Sequence, residues 1–217
     1  TVGNMFKNSY DYQRNLDSHM MKNTEWGSVA YLQHSKYGSQ ASVRINNNKA
    51  FITGYAGTEE PTLGCSGLSI SGNRMESTTL GVDGTYSVNY LNNKSIVAST
   101  TNNYSGIYDM SGGAWEYVMG NMSRHDEIYA YYENGEGTNF TYSTETAKYL
   151  IPYAYGTTCD DQEAYNRGRL GDATSEIVIN GDYGWYGESA LFPSSYASWF
   201  RRGGSFEHGS HAGPFYF

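Results

Sequence analysis

The sequence predicts a single α+β domain with a small helical part, many short strands and long polar loops. Three observations carry that prediction. There are 26 Gly and 22 Tyr among 217 residues, with only 4 Pro and 17% charged residues, a composition of turns and short strands, not of a helical protein. Only one stretch has clear helical start and stop signals. Elsewhere, short apolar runs alternate with Gly, Asn and Ser clusters. Aromatic residues make up 16% of the chain, which sets it apart from disordered sequences.

The elements follow in chain order. A helix is expected from Thr24 to about Lys36, with Asn23 or Thr24 as its cap, Glu25 in its first turn and Gly38 to end it. Trp26, Val29, Ala30, Tyr31 and Leu32 would form its apolar face. Short strands are expected at Ala41 to Ile45, Ala50 to Tyr55, Thr85 to Tyr90 and Ile128 to Tyr132. Turns at Asn46-Asn47-Asn48, Gly57 to Glu60, Asp83-Gly84 and Asn134-Gly135 separate them. Asp160 to Asn166 reads as a second short helix. No internal repeat and no Pro-rich or charged linker divides the chain, so residues 1–217 read as one domain.

Charge and cysteine content narrow the function classes. Lys plus Arg is 14 and Asp plus Glu is 22, a formal net charge of −8. An acidic surface repels phosphate backbones, and no basic run exceeds Arg201-Arg202, so nucleic acid is not an expected partner. No apolar stretch approaches the roughly 20 residues of a membrane span. The chain starts at Thr1 without a signal-peptide pattern and is expected to be the mature or C-terminal part of a longer protein. Cys65 and Cys159 have no metal-type spacing. In an exported protein a bridge between them would add about 4 kcal/mol; two unpaired thiols are the alternative.

The segment from Gly106 to Val118 carries the most chemistry. Asp109 and Glu116 flank a Gly112-Gly113 turn. Calcium takes six to eight oxygens from carboxylates and backbone carbonyls, and a glycine turn can aim carbonyls between two carboxylates. On spacing alone, a turn leading into a half-buried strand anchored by Trp115 is the simpler reading.

The segment resembles the Gly-Leu-Tyr-Asp-Met-x-Gly-Asn-x-Trp-Glu-Trp signature of the formylglycine-generating-enzyme-like (sulfatase-modifying-factor) domain, with Gly113 where that family has Asn. Lys22-Asn23-Thr24-Glu25-Trp26 resembles the start of the family's Pro-Thr-Glu-x-Glu-Trp helix. Arg202-Gly203-Gly204-Ser205-Phe206 resembles its Arg-Gly-Gly-Ser-Trp motif, and Ala212-Gly213-Pro214-Phe215 sits where its closing Gly-Phe-Arg stands. The likeness runs in order from about Met21 to the end, while residues 38–103 match nothing in that pattern and the family's N-terminal portion is missing or replaced.

The resemblance implies a C-type-lectin-like fold, with small twisted antiparallel sheets, few helices and long structured loops. It also implies one structural calcium, held by the side chains of Asp109 and Glu116 and the backbone carbonyls of Gly112 and Ala114. The family's oxidases need a cysteine pair near the C-terminus, and no cysteine follows Cys159. His19, His34, His125, His208 and His211 form no metal-protease or facial-triad pattern. His125-Asp126-Glu127 reads as a polar turn, and Glu207, His208 and His211 as an exposed loop. The chain is therefore expected not to be an enzyme. Alternatives are an unusual enzyme of this fold using Glu207, His208 and His211 or the two cysteines, or a structural surface subunit.

From Asp182 onward the chain is dense in residue types that serve recognition. Tyr and Trp supply contact area at low entropic cost, and Ser and Gly adapt hydrogen bonds. Trp185, Trp199 and Phe215 are expected in the core, and Arg202 to Ser205 as a structural strand. Tyr183, Tyr186, Tyr196, Phe206, Glu207, His208, Ser210 and His211 are the candidate ligand-binding residues. This ending also resembles the variable proteins of diversity-generating retroelements, which change C-terminal residues on a fixed lectin-like scaffold. Their variable positions favour Tyr, Asn, Ser, Asp and His because mutation falls on adenines. The expected function is a ligand-binding module on a cell surface, outside the cell or on a phage particle, taking a protein or glycan partner.

Overall fold

The computed structural model describes residues 2–40, 44–46, 95–123, 147–154, 169–174, 183–193 and 198–217. The strands expected at 50–55, 85–90 and 128–132, the turns between them, the 125–127 turn, the short helix at 160–166, Tyr196 and both cysteines lie outside the described residues. So does most of the strand expected at 41–45.

Two helices precede the sheet. The first, α1 (Val2–Tyr12), was not expected from the sequence. Its signal is a short stripe: Val2 and Phe6 are buried, and Tyr10 stacks on Phe6 at 5.7 Å. Asn4, Asn8, Ser9 and Asp11 around that stripe are weak helix formers, so tertiary packing decides the conformation. The second, α2, runs Asn23–Gln33. Its N-cap is Lys22, not Asn23 or Thr24, and the Glu25 carboxylate accepts the Lys22 amide at 2.8 Å. Asn23 is wholly buried and bonds across the core instead.

The helix stops at Gln33, short of Lys36, and the chain then folds back so that the Gln40 amide reaches the Gln33 carbonyl at 3.3 Å. Leu32, expected on the apolar face, is 56% exposed. The buried face is Asn23, Trp26, Gly27, Ala30 and Gln33, spaced three and four apart as a helix requires but too polar to read as a hydrophobic stripe. Trp26 is fixed by its indole N–H, which donates to the Pro214 carbonyl at 2.7 Å.

The sheet has three strands, β1 (Glu116–Ser123), β2 (Ile151–Ala154) and β3 (Trp199–Arg202), in the order β2-β1-β3. The chain is therefore of the α+β class. The sheet is mixed, where antiparallel pairing was expected. β1 runs parallel to β2, with Gly120 opposite Ile151, and antiparallel to β3, with Glu116 opposite Arg202. The β1–β3 register breaks between Tyr117 and Asn121. In that gap the Met119 amide bonds the Met21 carbonyl at 2.8 Å, which seats the start of α2 on the central strand.

Successive strand residues face opposite sides, and both sides are covered. Val118 and Phe200 enter one core with Trp26, Ala30, Tyr153 and Phe215. Met119 and Trp199 enter a second with Val2, Phe6, Tyr149 and Leu150. Trp199 and Phe215 are thus buried as expected, while Trp185 is only half-buried. The expected strand at Arg202 to Ser205 is displaced: β3 ends at Arg202, and beyond it only Gly203 makes a bridge, to Gly213. Asn46, expected in a turn, is 2% exposed and bridges Gly112. Among the described residues no helix is long and apolar enough to cross a membrane.

Candidate functional site

The site is built on a buried polar hub. Arg202 is fully buried, and burial lowers its guanidinium pKa to about 10 against the opposing pull of Asp172 and Tyr153. Its Nε donates to Asn23 Oδ1 at 2.8 Å, and its Nη atoms donate to the carbonyls of Asp172, Ala173 (3.2 Å) and Tyr216 (3.4 Å). Asn23 Nδ2 donates to the Tyr153 hydroxyl at 2.8 Å, which donates to Asp172 Oδ2 at 2.6 Å. The Asp172 carboxylate also accepts the amides of Arg169 (2.8 Å) and Thr174 (3.0 Å). One arginine thus ties α2, the 169–174 segment and the C-terminal segment together.

A second buried group, Glu188, holds the loop above that hub. It is 3% exposed and accepts the Phe215 amide at 2.6 Å. Burial pushes its pKa up to about 8, although the Phe215 and Tyr216 amides and the Arg202 charge act in the opposite sense. The loop itself closes through Gly184 N–H to the Glu188 carbonyl at 2.8 Å and a bridge between Tyr183 and Ser189. A side chain at Gly213 would meet the Glu188 carboxyl, with a Cβ only 2.0 Å from Cδ.

The loop displays two of the expected ligand residues. Tyr183 (41% exposed) stacks on His211 with ring centroids 4.5 Å apart, and His211 Nδ1 lies 3.0 Å from the Gly187 carbonyl. Tyr186 (64% exposed) stacks on His34 at 4.6 Å and on Phe215 at 5.6 Å. Tyr186 has φ +63°, a left-handed conformation that side chains other than Gly seldom adopt. Burial lowers the His34 pKa.

Of the remaining candidates, Tyr196 lies outside the described residues and the others lie between 206 and 211. Glu207 and Ser210 are exposed, but His208 is half-buried and locked. Its Nδ1 accepts the Ser205 amide at 2.9 Å, and its Nε2 lies 3.3 Å from the Tyr216 hydroxyl. Burial lowers its pKa. The freely exposed ring expected at His208 is thus a positioned one, in contact with Trp115 at 5.6 Å. Trp115, expected to anchor a half-buried strand, lies just before β1 and is 41% exposed. Arg201 lies over its ring at 4.2 Å. Phe206 is half-buried.

The candidate calcium loop leans on this same region. Gly112 and Gly113 have φ of +76° and +71°, values natural to glycine. The Gly112 amide bonds the Gly203 carbonyl at 2.8 Å, and the Phe206 amide bonds the Gly113 carbonyl at 2.7 Å. The Asn46 carbonyl accepts the Gly113 amide at 2.6 Å. With the Gly113 carbonyl engaged, the expected oxygen donors are those of its neighbours Gly112 and Ala114. Glu116 keeps an exposed face, yet its carboxyl is desolvated by the surrounding chain. That crowding and the like charge of Asp109 raise its pKa to about 7. Two mutually repelling carboxylates thus stand beside a glycine turn, the residues that would hold the calcium the resemblance implies. Among the described residues no group of three or more His, Cys, Asp or Glu is placed to hold a metal, so backbone carbonyls would have to complete the shell.

Arg201, His34 and Glu188 were not singled out from sequence as site residues. Arg201 showed there only as half of a two-residue basic run. His34 and Glu188 act through residues far away in the chain, which no local pattern reveals. No protein-family model matches the chain, and no curated protein or solved structure matches it.

Proposed function

We propose that this chain is a ligand-binding module of the C-type-lectin-like kind, without catalytic activity, displayed on a cell or phage surface. The observation that carries the reading is the contrast within the C-terminal region. Tyr183 and Tyr186 stand exposed on a loop whose base is fixed by the buried Glu188 and Arg202. Exposed aromatic residues on a rigid base suit recognition. Calcium held by Asp109, Glu116 and the carbonyls of Gly112 and Ala114 would steady the neighbouring loop. That loop bonds the Arg202-Gly203-Gly204-Ser205-Phe206 segment through Gly203 and Phe206. Diversification of the tail by a retroelement fits the density of Tyr, Ser and His there.

The test is binding of the purified protein to protein and glycan arrays, alongside a Tyr183→Ala/Tyr186→Ala double variant of equal melting temperature. Loss of the wild-type signal in the variant supports the reading. Binding that survives the double substitution, or no binding on either array, overturns it. Sequencing the 3′ end of the gene across a natural population tests the diversification. Substitutions confined to adenines there, with Arg202 to Ser205 fixed, are expected, and an invariant tail removes that element.

A further inference from the structure

Among the described residues Arg201 is an arginine that has a support but no acceptor. Its guanidinium lies 4.2 Å over the Trp115 ring. Among the described residues its side chain makes no hydrogen bond and no ion pair. A guanidinium carries five N–H donors in a rigid plane that matches a carboxylate. Stacking on an aromatic ring fixes that plane beforehand, so less freedom is lost when an anion docks. The chain as a whole carries a charge of −8, which makes a positive group with open donors a local exception.

The surroundings indicate the kind of anion. The charges of Glu207, Arg201 and His211 are felt at His208, and among the described residues here Glu207 and Glu116 are exposed acids. Arg201 lies over the Trp115 ring and His208 is tilted against it at 45°, while Trp115 stays 41% exposed. Exposed Trp115, and Tyr183 stacked on His211, are residue types of protein-binding surfaces, and Arg beside aromatic residues is typical of their energetic centres. We propose that Arg201, held flat on Trp115, is the anchor that receives an Asp or Glu carboxylate of a protein partner. This rests on the ligand-binding reading above and names the chemistry that the site selects.

The test is selection of a random-peptide phage library against the wild-type protein, followed by binding of the selected peptides to Arg201→Gln and Arg201→Lys. An acidic residue at one fixed position of the selected peptides is expected. Those peptides should lose affinity about tenfold or more on Arg201→Gln, the size of a charge-assisted hydrogen-bonded pair. They should lose less on Arg201→Lys, which keeps the charge without the planar fork. Exchanging the peptide's acid for its amide should cause the same loss on the wild-type protein, a measurement that holds even where an arginine variant folds poorly, and none on a folded Arg201→Gln. Peptides without a common acid, or acid-bearing peptides that bind Arg201→Gln equally well, overturn the anchor. If such peptides still depend on Tyr183 and Tyr186, the binding face stands and only the anchor falls. Selection no better than on heat-denatured protein overturns both, and binding to acidic glycans alone overturns the choice of a protein partner.

Discussion

Arg201 and Arg202 are consecutive residues of one strand, and they have opposite surroundings. Arg202 is buried and donates to Asn23 and to three carbonyls from two other segments. Arg201 is half-buried and rests on Trp115. Strand alternation sends the two side chains to different faces, and the same residue type becomes part of the frame on one side and a reader of partners on the other. The difference teaches that at this site a residue's role is set by which face of β3 it occupies, not by its chemistry.

The largest expected effect breaks the frame. Arg202→Met should destabilise the protein by about 3–5 kcal/mol, because three carbonyls and Asn23 lose their donor inside the core. Arg201→Met should change stability by less than about 1 kcal/mol, since it removes one surface stack. Urea unfolding of both variants checks the pair, and equal losses would erase the distinction between the two faces.

Calcium should act next in size. At a hundredfold excess over its Kd, calcium stabilises by about 2.7 kcal/mol, or roughly 5–10 °C in melting temperature for a domain of this size. Asp109→Asn and Glu116→Gln should each remove most of that gain. An unchanged melting temperature after thorough chelation would count against the cation.

A third effect concerns the link between frame and face. The Glu188 pKa is raised from 4.5 to about 8 in the folded protein, so the folded state holds a proton that the unfolded chain releases earlier. Its contribution to stability is therefore full below about pH 4.5 and is lost as pH rises towards 8. Glu188→Gln, which stays neutral, should remove that part of the pH dependence and leave the variant more stable than wild type at pH 9. Thermal melts from pH 5 to 9 check this, and parallel curves for wild type and variant would show that Glu188 does not titrate as described.

What could be read from the sequence was what depends on near neighbours. The start of α2, the turn at Gly112-Gly113 and the burial of Trp199 and Phe215 follow from local spacing and residue type. What escaped depends on distant partners. Asn23 looks like a helix cap until Arg202 and Tyr153 are placed beside it. Asn46 sits in a run of three Asn that reads as a turn, yet its backbone bonds Ser111 and Gly113 of the glycine loop. α1 presents too few apolar residues to announce itself and owes its conformation to the second core. At the binding face, the exposed tyrosines were legible as residue types, whereas Trp115 and Arg201 take their meaning from a contact between β3 and the residue preceding β1.

The reach of the Arg202 and Pro214 contacts also bears on how the protein is made. The bonds from Asn23 to Arg202 and from Trp26 to Pro214 join residues 179 and 188 positions apart. During synthesis α2 therefore emerges long before the groups that satisfy its buried face, and its tryptophan stays unsheltered until residue 214 has been added. A core closed by contacts of such separation forms slowly, and the nascent chain exposes sticky surface throughout that wait. Its yield in any cell should depend on chaperones that shield the early helices, more than on the stability of the finished domain.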